Sequence, residues 1–302
     1  MRIDDVVLGS DPEFFLSHAD GSVFPAWEFL PSKYEPIKTN EPINPNSVYF
    51  DGWQAEETVT PSVSIAEVIK SIKYGLMTAL RAARKKDKNA KFSTKTVVEV
   101  TKEVLDATSD EYKQFGCAPS YNVWGICGKS ASGETSLIRP AGGHVHFGLP
   151  EAYRTEEQIN IIVKALDSIL GVTCVSLMEN LDNPARREYY GLAGEMRMPE
   201  HGCEYRVLSC AWIFSPKVAA MVLDLARRVV VYATSGKNQW EASEEEVIET
   251  ILLCDAAKAR GIIERNKHCF EQMGFKTDID LMRPVEESIP NMLVSIEANW
   301  GT

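Results

Sequence analysis

The chain has 302 residues, 44% hydrophobic and 25% charged, with 19 glycines and 15 prolines, a balance that excludes collagen-like, linker-dominated and disordered chains. Lys and Arg total 32 against 43 Asp and Glu, a net charge of -11, which repels phosphate backbones and argues against nucleic-acid binding. A polyphosphate would have to be met by local arginines or by bound cations.

The opening Met1-Arg2-Ile3-Asp4-Asp5 lacks the basic-then-apolar form of a secretory signal. From there to Thr60-Pro61 the chain reads as strands and turns. Val6 to Leu8 and Glu13 to Leu16 flank Gly9-Ser-Asp-Pro12, Asp20-Gly21 turns before Val23-Phe24, and a proline-rich loop runs from Pro31 to Pro45. Val48-Tyr49-Phe50 restarts a strand that bends at Asp51-Gly52. Ser64-Ile-Ala-Glu67 is a capping box and predicts a helix to about Arg84, ending in the basic turn 83–91. Thr155-Glu-Glu-Gln158 starts a second helix reaching Glu179, and Ser215-Pro216 a third through Val231. Ser243-Glu-Glu-Glu246 opens a fourth, to about Lys258. Short β-prone pieces lie at Thr96–Val100, Gly143–Leu149 and Tyr205–Leu208.

Strands and helices thus mix without a regular βαβ alternation, which predicts an α+β fold with a largely antiparallel sheet and helices on one face. There is no internal repeat, no Walker loop and no G-x-G-x-x-G. No run approaches the roughly 18 consecutive apolar residues of a membrane span, so no membrane partner is expected. Seven cysteines, at 117, 127, 174, 203, 210, 254 and 269, are scattered without a C-x-x-C pair, which fits reduced thiols and a cytoplasmic location.

The candidate chemistry is spaced by two. In a strand, residues i and i+2 share a face, so Asp11 with Glu13, His144 with His146, and Glu204 with Arg206 each present a pair of ionisable groups on one side. Asp51 and Glu56 form a fourth pair across a bend. Singly, each has a plainer reading: a turn residue at Asp11, core histidines, an intrastrand ion pair, surface charge at Glu56 and Glu57. Together, with apolar residues at the alternating positions, they place carboxylates, imidazoles and arginines on one face of a sheet. Charges gathered and half-buried in this way must be paired or hold metal, and carboxylate-rich sites suit Mg²⁺ or Mn²⁺ better than zinc. Arg139 and the segment Arg186 to Arg197, with three arginines around two glycines, add groups suited to a bidentate hold on phosphate or carboxylate.

The order Gly9-x-Asp-Pro-Glu-Phe14, Asp51-Gly-x-x-x-Glu56, Phe115-Gly-Cys117, Arg139-x-x-Gly-Gly-His-x-His-x-Gly148, Arg187-x-x-Tyr-Gly-x-x-Gly-Glu-x-Arg197 and Glu204-Tyr-Arg206 resembles the phage-type carboxylate–amine ligases (COOH.NH2 ligase type 2) of the glutamine synthetase and glutamate–cysteine ligase superfamily. The resemblance implies one glutamine synthetase-like ligase domain over 1–302 on a curved sheet, with the motif-bearing core in 7–212 and a helical part in 213–302. It implies an ATP- and Mg²⁺-dependent ligase that joins a carboxylate to an amine through an acyl phosphate. Glu13, supported by Asp11, then inherits metal ligation, with Glu56, His144 and Glu204 as further metal ligands. His146 and Arg139 would lie at the nucleotide, Arg206 at the phosphates, and Arg187 and Arg197 at the transferring phosphoryl group or acceptor carboxylate. Asp51 would be the base for the amine. Partners would be ATP and small amino-acid, peptide or protein substrates in the cytoplasm, that of the host if the chain is phage-encoded. Glutamine synthetases assemble sites between subunits, so a homo-oligomer is allowed. A metal-dependent hydrolase, or a non-catalytic or virion-associated protein that kept the fold, are the alternatives.

Overall fold

A computed structural model describes residues 1–39, 46–113, 120–127, 135–236 and 239–301, with the side chains of 277–279 left aside. The Phe115-Gly-Cys117 motif, Pro42 and Pro45 lie outside the described residues. The central feature is a sheet of β1 (Val7–Phe14), β4 (Ile37–Lys38), β5 (Ser47–Asp51), β6 (Gln54–Ser62), β9 (Tyr121–Asn122), β11 (Gly143–Gly148), β12 (Glu195–Arg197) and β13 (Gly202–Tyr205). Its order is β4-β5-β6-β1-β11-β13-β12-β9, and every paired neighbour is antiparallel. Two small sheets flank it: β2 (Leu16–Ser17) between β3 (Val23–Phe24) and β7 (Lys91–Phe92), and β8 (Val97–Glu99) with β10 (Ile138–Pro140). The expected α+β class holds.

Alternation fixes which face is buried. Leu8 and Phe14 of β1, Val145 and Phe147 of β11, and Cys203 and Tyr205 of β13 are all buried in one hydrophobic core, so the intervening residues share the other face. Glu57, next to Glu56, points the opposite way and is fully buried, bonded to Asn46 Nδ2. Helix 65–84 packs on β6 and starts where expected, with the Ser64 hydroxyl accepting from Glu67 N–H. The helix of residues 216–233 packs against it and against helix 156–166. The segment Glu156–Leu177 is the one helix among the described residues long and apolar enough to cross a membrane, and most of it is buried within the protein.

Three expectations change. Gly9-Ser-Asp-Pro12 is no turn: β1 runs unbroken through it, with a bulge against β6 between Leu8 and Ser10, so the missing Pro12 N–H costs one bond within an otherwise paired strand. Tyr205 ends β13 instead of starting a strand to Leu208. The helix expected from Ser243 to Lys258 is two, Glu244–Leu252 and Ala256–Arg265. Cys254 breaks it at a positive φ of 50°, and the Asp255 carboxylate caps the second piece by accepting from Lys258 N–H.

Candidate functional site

The site is written in the strand register. Asp11 lies opposite His144, His146 opposite Glu204, Glu204 opposite Arg197, and Glu13 opposite Glu56, which faces Tyr49. Residues opposed across antiparallel strands share a face, so Tyr49, Glu56, Glu13, Asp11, both histidines, Glu204 and Arg197 line the side of the sheet away from the helices.

At its centre, His144 Nδ1 is 3.2 Å from Asp11 Oδ1 and 3.6 Å from Glu204 Oε1. His146 Nε2 is 3.1 Å from the same Asp11 oxygen. One ligand atom each from Asp11, His144 and Glu204 lies within 4.8 Å of the others. Arg206, fully buried, meets Glu204 directly and sits 3.5 Å from His144 Nδ1 and 3.9 Å from Glu195 Oε1. Arg197 approaches Glu204 at 3.5 Å. His144 Nε2 is buried without a hydrogen-bond partner among the described residues. A buried imidazole nitrogen left over beside two carboxylates, with no thiol in the set, fits a hard divalent cation such as Mg²⁺ or Mn²⁺.

The electrostatics agree. Burial and the neighbouring Glu13 push the Asp51 carboxyl up to about 7, against the pull of Lys33 and Arg206. Burial, Asp51, Asp11 and Glu13 raise Glu56 well above the carboxylate range. Burial opposes ionisation of Asp11, but the two imidazoles outweigh it and hold its carboxyl below the usual range. His146 loses basicity to burial and regains more from Asp11, so it is raised. Asp51 and Glu56 thus resist ionisation because other carboxylates crowd them, and a cation placed among them would favour their charged forms.

Several residues that sequence reasoning did not single out hold this arrangement. The Tyr190 hydroxyl and the Gly142 N–H, the latter at 2.6 Å, both donate to Glu13 Oε2. The Tyr49 hydroxyl donates to Glu56 at 2.9 Å. Glu195 accepts from the Gly191 and Leu192 amides and from Ser120. Gly142 is required by space: a Cβ there would stand 2.3 Å from the Tyr190 hydroxyl and 2.5 Å from His144 Nε2. Tyr190, Gly142 and Glu195 all stand inside the motifs quoted above, and that was their only signal.

Arg187 is engaged away from the cluster, and Arg139 lies on a different sheet. Arg187 is buried, ion-paired to Asp182 at 3.1 Å, and donates to the carbonyls of Gly191 and Val207. It braces the loop before β12 and is withdrawn as a phosphoryl-binding group. Arg139 belongs to β10, outside the large sheet, where burial lowers its guanidinium to about 10 against the pull of Tyr189. Beside His146, in contrast, opens a cavity of about 600 Å³ lined by Gly9, Pro61, His146, Leu149, Arg154 and His201 among others.

A family model described as phage phiEco32-like COOH.NH2 ligase type 2 matches residues 131–296, more than half of the chain. That span carries His144, His146, Arg197, Glu204 and Arg206; Asp11, Glu13, Asp51 and Glu56 precede it. No curated protein matches by sequence. Among solved structures, the chain is similar to the crystal structure of a bifunctional glutathione synthetase from Pasteurella multocida, with 12% identity and a TM-score of 0.51 over 99% of this chain and 48% of that one. The chain spans about half the length of that protein, and at this identity the likeness is one of fold.

Proposed function

The chain belongs to the phage phiEco32-like COOH.NH2 ligase type 2 family, and on that premise we propose an ATP- and Mg²⁺-dependent carboxylate–amine ligase of the glutamine synthetase type, formed by residues 1–302 as one domain. The observation that carries this reading is the convergence of Asp11, Glu13, Glu56, His144 and Glu204 on one sheet face with Arg206 and Arg197 at its edge.

A carboxylate is a poor acyl donor because its leaving group would be oxide. In the proposed reaction a carboxylate oxygen attacks the γ-phosphorus of ATP, the bond to ADP breaks, and an acyl phosphate forms. An amine nitrogen then attacks the acyl carbon, the C–O bond to phosphate breaks, and an amide remains. Mg²⁺ bound by Asp11, Glu13, Glu56, His144 and Glu204 would neutralise the developing phosphate charge. Arg206 and Arg197 supply fixed guanidinium donors to the same oxygens, already oriented by Glu204. His146 sits between the acidic cluster and the 600 Å³ cavity, in position to contact the nucleotide. Asp51, raised by burial and Glu13 in the metal-free chain, is the base assigned to the proton that the amine loses, since a bound cation would favour its ionised form.

The test is ADP and phosphate release on incubation with ATP, Mg²⁺ and an amino-acid and peptide pool. Glu13→Gln and Glu204→Gln should abolish turnover with unchanged far-UV circular dichroism. Either variant turning over ATP at the parental rate removes that residue from the site, and amide cleavage without ATP would replace the ligase by a hydrolase.

A further inference from the structure

The polar face has a counterpart behind the sheet. The long helix 156–177 changes to a π turn at Asp167–Gly171, a widening that recurs at functional positions. Asp167 is fully buried there, and its carboxylate gathers three donors from different parts of the chain. The Tyr205 hydroxyl reaches Oδ1 at 2.7 Å and the Trp124 indole N–H reaches Oδ2 at 2.6 Å, while the Gly194 amide also bonds to it. Two glycines make room for this. A Cβ on Gly171 would stand 2.8 Å from the Tyr205 hydroxyl, and one on Gly194, where φ is +77°, would stand 2.4 Å from the Trp124 ring.

What these donors hold is the arginine-bearing edge of the site. Tyr205 lies between Glu204 and Arg206, and Gly194 directly precedes Glu195–Arg197. Trp124 follows β9, whose Asn122 side chain bonds Ala193 O at 2.7 Å and accepts from Trp124 N–H at 2.9 Å. We propose that Asp167 is a positioning residue: from the helix side it fixes the β13–β12–β9 edge so that Glu204, Arg206 and Arg197 face the acidic cluster. The inference rests on the reading of those three as site residues.

Burial is the largest influence on the Asp167 carboxyl and lifts it to about 6, with the hydrogen bonds from Trp124, Tyr205 and Gly194 and the charge of Arg187 pulling down. A raised carboxyl pKa stabilises the fold only while protonated, so the benefit is lost as pH rises through 6 and the ion is held at a cost at neutrality. Three converging donors do require it, because the amide of an asparagine offers one acceptor oxygen where the carboxylate offers two.

The experiment measures Mn²⁺ affinity by electron paramagnetic resonance and ATP turnover for the parent, Asp167→Asn, Tyr205→Phe and the double variant. Each single variant should weaken Mn²⁺ binding at least fivefold and lower kcat at least tenfold, assayed well below its Tm. The double variant should lose no more than the worse single one, because both remove the same link. Parental Mn²⁺ affinity and kcat in the folded single variants, whatever their Tm, overturn the proposal. Should Asp167→Asn not fold, Tyr205→Phe, which lacks one hydroxyl, decides alone. A parent that binds Mn²⁺ yet turns over no ATP overturns the ligase reading, and the Mn²⁺ comparison still decides the role of Asp167. A parent that binds no Mn²⁺ overturns both.

Discussion

Asp51 offers the sharpest test of the crowded carboxylates. Its carboxyl titrates at about 7 in the folded chain against an ordinary 3.8, so between those values the folded state binds a proton that the unfolded state does not. Stability from this group is therefore fully present at low pH and lost as pH rises through 7. Between pH 8 and pH 6 the gain is RT ln(11/1.1), about 1.4 kcal/mol, or roughly 2 °C in Tm for a chain of this length. Glu56, His146 and Asp167, all raised, add in the same direction, while His201, lowered chiefly by burial and then by His146, works against them. Thermal unfolding in a chelator should thus show a higher Tm at pH 6 than at pH 8. Asp51→Asn should flatten that slope and abolish ligase turnover. Mg²⁺ bound as proposed would favour the ionised carboxylates, so it should raise Tm more at pH 8 than at pH 6. A chelated parent as stable at pH 8 as at pH 6 would refute the crowding and, with it, the argument for Asp51 as a base.

Two further substitutions separate bracing from chemistry. Arg187→Ala leaves Asp182 buried without its partner and should cost about 3–5 kcal/mol in urea unfolding, while Mn²⁺ affinity of the folded fraction stays parental; weakened binding without lost stability would return Arg187 to the site. Gly142→Ala drives a methyl into Tyr190 and His144 and should weaken Mn²⁺ binding by tenfold or more with helix content retained. A binding isotherm that matches the parent would mean that this close approach is not needed.

The central strands were legible because their chemistry alternates with apolar residues: Pro12 and Phe14 around Glu13, Val145 and Phe147 around His146, Tyr205 beside Glu204. Period two reveals which face a residue takes but not which strands are neighbours, so spacing put Asp11, His144 and Glu204 on one face while their joint metal role came from the resemblance. Arginines defeated the reading for a different reason. Arg187 carries the same guanidinium as Arg206, and only the burial partners, Asp182 and backbone carbonyls for Arg187 against Glu204 and Glu195 for Arg206, tell a brace of the loop from a group paired within the acidic cluster. Trp124 and Asp167 were invisible for want of any local pattern, being 43 residues apart in the chain. Helix caps on Ser, Thr and Asp read well at Ser64, Thr155 and Ser243, and the missed cap at Asp255 turned one expected helix into two.

Because every presumed ligand is a rung of a strand ladder, a one-residue deletion or insertion inside β1, β11 or β13 would invert the alternation beyond it and send acids and imidazoles into the apolar layer. The connections between strands carry no such restriction. Length variation among related chains should therefore collect in those connections, where it can reshape what the proposed ligase accepts while the lattice of acids and imidazoles stays intact.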